Sequence, residues 1–111
     1  MADVVGMPPA DLAAYRADPI WPRRASAAHT IVRELEAEVA RAAGLDALGT
    51  VAIPVLQILG GESARVFGAA TQALDERLAR GQVVVLPGQR HSAHHTDPVS
   101  FVRAVTRFVS G

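Results

Sequence analysis

Three of the chain's four histidines, His91, His94 and His95, fall within one short segment. An imidazole titrates near neutrality, so it can take or give a proton, or hold a metal ion. His91 follows Val83-Val84-Val85-Leu86-Pro87-Gly88-Gln89-Arg90, an apolar run that ends in a glycine-containing turn. That pattern places it on a loop at the exit of a strand. Glu62 and Ser63 follow Gly60-Gly61 at the end of another apolar run, and a carboxylate there can accept from the Nδ1 of an imidazole. Plainer roles stand beside these. Glu62 suits the positive end of a following helix, Ser63 reads as that helix's N-cap, and His91 can simply bond its own turn. His94 and His95 are adjacent on an irregular polar loop without helical ligand spacing. No metal ligand and no cofactor is therefore expected.

The elements that must position these residues follow from periodicity. Val51 to Leu59 is almost wholly apolar and rich in Val and Ile, as in a strand buried on both faces of a parallel sheet. Ala64 to Arg80 repeats apolar residues at helical spacing, with Val66/Phe67, Ala70, Leu74 and Leu78 inward, and Gly81 ends it. Val83–Leu86 is a second short strand. Asp97-Pro98 reads as an N-cap followed by proline at the first helical position, opening a helix to about Val109. Before these, Pro8-Pro9 opens a short helix, which Asp18-Pro19-Ile20-Trp21-Pro22 breaks. A long amphipathic helix spans Ala25 to Ala43 with Gly44 as its stop, carries His29 as a partly buried packing residue, and is followed by a connector, Leu45–Gly49. Tyr15 and Trp21 flank the proline-rich bend and anchor the helices there. The fold class is α/β: helices over residues 1–49, then a parallel β-α-β-α unit over 50–111 joined by a right-handed crossover.

Composition limits the functions available. The 111 residues hold 11 Arg and Lys against 11 Asp and Glu, for a net charge of +0. That leaves no electrostatic footprint for nucleic acid or an anionic membrane. All 11 cations are arginine, which we read as codon bias. Without cysteine there is no disulfide and no thiolate chemistry. Neither a leader-like N-terminus nor an apolar run of membrane length appears, so a cytoplasmic protein is expected.

Ile53-Pro54-Val55-Leu56-Gln57-Ile58-Leu59-Gly60, the Gly88-Gln89-Arg90-His91 turn, and Asp97-Pro98 with Phe101 and Phe108 form an ordered set. Together they resemble the C-terminal portion of the α/β-hydrolase superfamily: penultimate strand with acid loop, last strand with the triad histidine, and closing helix. Residues 1–49 look like that family's cap helices. The resemblance implies a partial α/β-hydrolase fold with His91 as general base and Glu62 as its acid partner. Counting from Gly60 gives Ser63 at the family's usual acid position, one residue after Glu62. The pattern departs from the family in three places. There is no Gly-x-Ser-x-Gly elbow, since Gly61-Glu62-Ser63-Ala64-Arg65 puts Arg at the second glycine. The acid is displaced, and Arg90 stands where a small residue is common.

The resemblance therefore implies a serine-type esterase relative that supplies the acid and base segment but lacks the nucleophile. Such a chain is either truncated or dependent on a nucleophile-bearing partner chain, and it is not expected to act alone. Leu12, Ile20 and Trp21 suggest an apolar small-molecule substrate. The alternative is a non-catalytic module derived from a hydrolase fragment. It would associate with itself or another protein through an exposed strand edge, since two strands make a poor sheet.

Overall fold

The computed structural model describes residues 7–40 and 44–111. It separates into two compact units, Met1–Gly44 and Leu45–Gly111. In the first, α1 (Pro9–Ala17) opens with proline, whose fixed φ suits a helix start. Pro19 forces Asp18 into an extended conformation (φ −65°, ψ 137°), and α1 ends there. Asp18 Oδ1 then accepts from the Ile20 amide at 2.8 Å, turning the chain into α2 (Trp21–Ser26). The bend is pinned by Tyr15, buried at 6% exposure, with the Trp21 ring edge-on at 5.6 Å. Arg24 lies over the Tyr15 ring and donates from Nη1 to its hydroxyl.

The expected continuous helix from Ala25 is interrupted. α2 stops at Ser26 and α3 (Thr30–Ala40) starts four residues later. Side chains drive the break. Ser26 Oγ donates to Arg23 O at 2.8 Å, Thr30 Oγ1 donates to Ala27 O at 2.9 Å, and His29 Nδ1 lies 2.9 Å from Ser26 O. Such local bonds compete with the regular ladder. His29 is exposed there, not part of a packed stripe. Ile31, Val32 and Leu35 are exposed as well. The expected positions Val39 and Ala42 lie outside the described side chains, as does the helix end at Ala43. Gly44 starts a short helix, α4 (Gly44–Leu48), in place of the expected stop and connector.

In the second unit, β1 (Val55–Gly60) and β2 (Gly81–Leu86) form a two-stranded parallel sheet, with Val55 opposite Gly81 and Gly60 opposite Leu86. β1 begins after Pro54, four residues later than Val51, because proline has no N–H for the ladder. The Val55 amide donates to Arg80 O at 3.0 Å. The connecting helix α5 (Arg65–Asp75) ends five residues before Arg80. Its last carbonyls are closed by the amides of Arg77 and Leu78 on Leu74 O and by Arg77 Nη1 on Ala73 O. Gly81 then begins β2, where a Cβ would stand 2.8 Å from Asp75 Oδ1.

Side chains alternate across a strand, so the register puts Gln57 and Leu59 on one face, and Ile58, Val84 and Leu86 on the other. A bond from Gln57 Nε2 to Thr71 O (3.2 Å) holds α5 on the first face. The second faces α7 (Pro98–Ser110), where Ala104 and Phe108 border Val84 and Leu86. One helix per face leaves the strands only half-buried, not sealed on both sides as expected; Leu86, at 7% exposure, is the buried side chain of the sheet. α7 starts as the sequence dictates. Asp97 Oδ1 accepts from the Ser100 amide at 3.1 Å, and Pro98 follows the cap. The hydrogen bonds from Ser100, helped by the charge of Arg103, hold the Asp97 carboxyl below its ordinary pKa.

Two glycines separate backbone necessity from convenience. A Cβ on Gly60 would lie 2.5 Å from Arg90 O, whereas one on Gly68 within α5 would meet open space. Gly60→Ala should cost about 1–3 kcal/mol through overpacking. Gly68→Ala should stabilise by about 0.5–1 kcal/mol through helix propensity. Urea denaturation of both variants checks this, and a neutral Gly60→Ala would contradict the packing described.

Candidate functional site

The exits of β1 and β2 are laced together. The Gly61 amide donates to Leu86 O at 2.9 Å, and the Glu62 amide donates to Gln89 O at 2.8 Å. Gly60 presses directly on the Gln89 and Arg90 carbonyls, a distance no side-chain-bearing residue tolerates. Gly88 turns the chain at φ +71°, a left-handed conformation that favours glycine. Gln89 is held further by Thr96 Oγ1, which donates to its Oε1 at 2.7 Å. Thr96 closes α6 (Ala93–Thr96), a single turn where an irregular loop was expected. Ala93, at 5% exposure, anchors that turn.

His91 leaves this turn with its ring stacked on Phe67 of α5, centroids 4.2 Å apart and planes 19° from parallel. A cleft of about 270 Å³ opens here, at the carboxyl ends of the strands, where open parallel sheets bind ligands. His91, His94, Ser63, Gln57 and Phe67 line it. The His94 ring also meets Phe101 of α7 edge-on at 6.0 Å. Among the described residues, no group of three His, Cys, Asp or Glu is placed to hold a metal ion.

Ser63 does not cap α5. Ala64 takes the N-cap position (φ −55°, ψ 146°) and supplies no side-chain bond. The tight turn, in which the Ser63 amide donates to Gly60 O at 3.0 Å, instead carries the Ser63 hydroxyl inward. Its Oγ is buried without a hydrogen-bond partner among the described residues. Glu62 is exposed on the same turn, does not line the cleft, and makes no hydrogen bond to His91. The structure thus brings His91 and Ser63 to one cleft and leaves the Glu62 carboxylate outside it.

Two contributors escaped the sequence reading. Phe67 falls on the inward stripe of the helix pattern, and nothing local marks an aromatic ring as a shelf for an imidazole. Gln57 did carry a signal, as the one polar residue in an apolar strand. Val66, expected to face inward beside Phe67, is exposed. Chemically the cleft is lined by two imidazoles, the hydroxyls of Ser63 and Thr71 (the latter donating to Phe67 O at 2.8 Å), the Gln57 carboxamide and Arg90, against apolar walls. That set can move a proton and hydrogen-bond a small polar group. The chain matches no protein-family model, no curated protein and no solved structure. Among the described residues no helix is long and apolar enough to cross a membrane.

The position of Ser63 is testable by stability alone. Removing a buried hydroxyl without a partner should leave stability unchanged, or raise it by up to about 1 kcal/mol. Loss of a working N-cap would instead cost about 1 kcal/mol. A Ser63→Ala variant that falls by the latter amount in urea denaturation would restore the capping role.

Proposed function

We propose that this chain is an α/β-hydrolase-type polypeptide, an esterase relative. In this reading it contributes the general base His91 and completes its site with a nucleophile-bearing partner chain. One observation carries the reading: His91 stands at the carboxyl end of a parallel β-α-β unit, lining a cleft together with Ser63. Glu62 would orient the imidazole once assembly or substrate orders its exposed side chain, since catalytic hydrogen bonds often tighten only in the complex. An apolar acyl group fits the aromatic and aliphatic walls of the cleft. The thin core favours assembly as well, because several large apolar side chains of the second unit, Ile53 and Val109 among them, remain exposed.

The test is hydrolysis of an activated ester, by the chain alone and with the product of any neighbouring reading frame that carries a Gly-x-Ser-x-Gly elbow. His91→Ala should lower the rate by about 10²-fold or more, the scale of a lost general base. His94→Ala should matter far less, and Ser63→Ala should leave a partner-supplied nucleophile working. Full activity in His91→Ala, or abolition by chelators, would sink the assignment.

A second reading is favoured by the sheet itself. Among the described residues β1 has β2 as its one strand neighbour, so its other edge pairs with no strand there and would serve for strand addition. On this reading the chain is a non-catalytic module that pairs with itself or another protein. Light scattering after size exclusion should then show an assembly, and a clean monomer at high micromolar concentration would count against it.

A further inference from the structure

Charge is unevenly spread along this neutral chain. From residue 77 onward there are five arginines (Arg77, Arg80, Arg90, Arg103 and Arg107) against a single acid, Asp97. Three of these arginines, Arg80, Arg103 and Arg107, border one groove of about 620 Å³ between β2 and α7. This groove shares no lining residue with the His91 cleft. An ion pair joins Arg77 to Asp46 at 3.5 Å, elsewhere in the unit. Arg103 acts on Asp97 through its charge, but the Asp97 carboxylate is engaged by Ser100 at the helix cap. No acidic side chain lines the groove, and the C-terminal residue Gly111 borders it.

Arg103 and Arg107 sit one helical turn apart, where like charges repel. The Arg80 carbonyl, in the turn before β2, accepts from the Val55 amide, which fixes the backbone of this lining residue. Three guanidinium-bearing residues bordering one groove favour an oxyanion, because the planar fork matches phosphate or carboxylate in a bidentate manner. Much of the remaining lining is apolar, with Val84, Leu86, Ala104 and Phe108 beside Gln82 and Ser100. The volume is that of a small-molecule site.

We propose that this groove binds a small amphiphilic oxyanion, a phosphate or carboxylate group carried on an apolar body. The headgroup lies between Arg80, Arg103 and Arg107, and the body lies over Val84 and Phe108. This site is independent of the His91 reading and stands whether or not the chain hydrolyses esters.

Calorimetric titration of the full chain with monomeric octyl phosphate tests it. One equivalent should bind, more tightly than inorganic phosphate and more weakly as salt rises. The Arg103→Gln/Arg107→Gln pair should weaken binding about tenfold or more, the scale of lost charge-assisted bonds. Arg65→Gln, on α5 of the same unit and outside the groove lining, should change nothing. The Arg103→Lys/Arg107→Lys pair keeps the charge but not the fork; it should weaken binding severalfold, and it carries the test if the glutamine pair fails to fold. Equal affinity in the lysine pair, or equal binding of octyltrimethylammonium, overturns the proposal. So does sedimentation with phosphatidic acid vesicles in the absence of binding to monomeric octyl phosphate, which would assign the arginines to a membrane surface.

Discussion

Two carbonyls at the end of β2, Leu86 O and Gln89 O, accept the amides of Gly61 and Glu62, and between those bonds Gly60 meets the Gln89–Arg90 backbone with no room for a Cβ. Most of the second unit follows from this contact. It fixes where the chain leaves β1, and so the direction in which α5 starts. It also fixes the turn from which His91 emerges, and so the seat of its ring on Phe67. A Cβ at position 60 would push the strand exits apart and open the cleft between them. The constraint is steric and short-ranged, which makes the site depend on a glycine that does no chemistry.

Around that contact the packing is thin. Tyr15, Leu86 and Ala93 are the deeply buried apolar residues among those described. The sheet has two strands with one helix for each face, so the residues between them are half-covered. The outer side of α7 leaves Val99, Val102 and Val109 in solvent. Burial of apolar surface is the main favourable term in folding, and this unit draws less of it than a sheet with more strands. Hydrogen bonds at the strand exits and caps therefore hold a larger share of the local order.

The sequence was most legible where the physics is local. Asp97-Pro98 announces a helix start because both residue types act on their own backbone, and the cap forms as expected. The two apolar runs become the two strands for the same reason that any run of Val, Ile and Leu does. Pro54 could have set the start of β1, since its missing N–H is visible in the sequence. Other features were hidden because they depend on distant partners. Whether Ser63 caps α5 is decided by the backbone direction after Gly60, which the Gln89–Arg90 contact imposes from 29 residues away. The end of α5 at Asp75 is set by the strand register at Gly81. His91 could be placed at a strand exit from its neighbours alone. Its stacking on Phe67, and the exposed position of Glu62, could not.

Native-state hydrogen exchange at the Gly61 and Glu62 amides tests the central contact directly. If the laced exits are the constraint on which the site rests, both amides should exchange as slowly as the β1–β2 ladder amides. Loss of protection should then require opening of the whole sheet. Fast exchange at both amides, beside a protected ladder, would contradict this: the exits would be open in solution, and His91 would have no fixed seat.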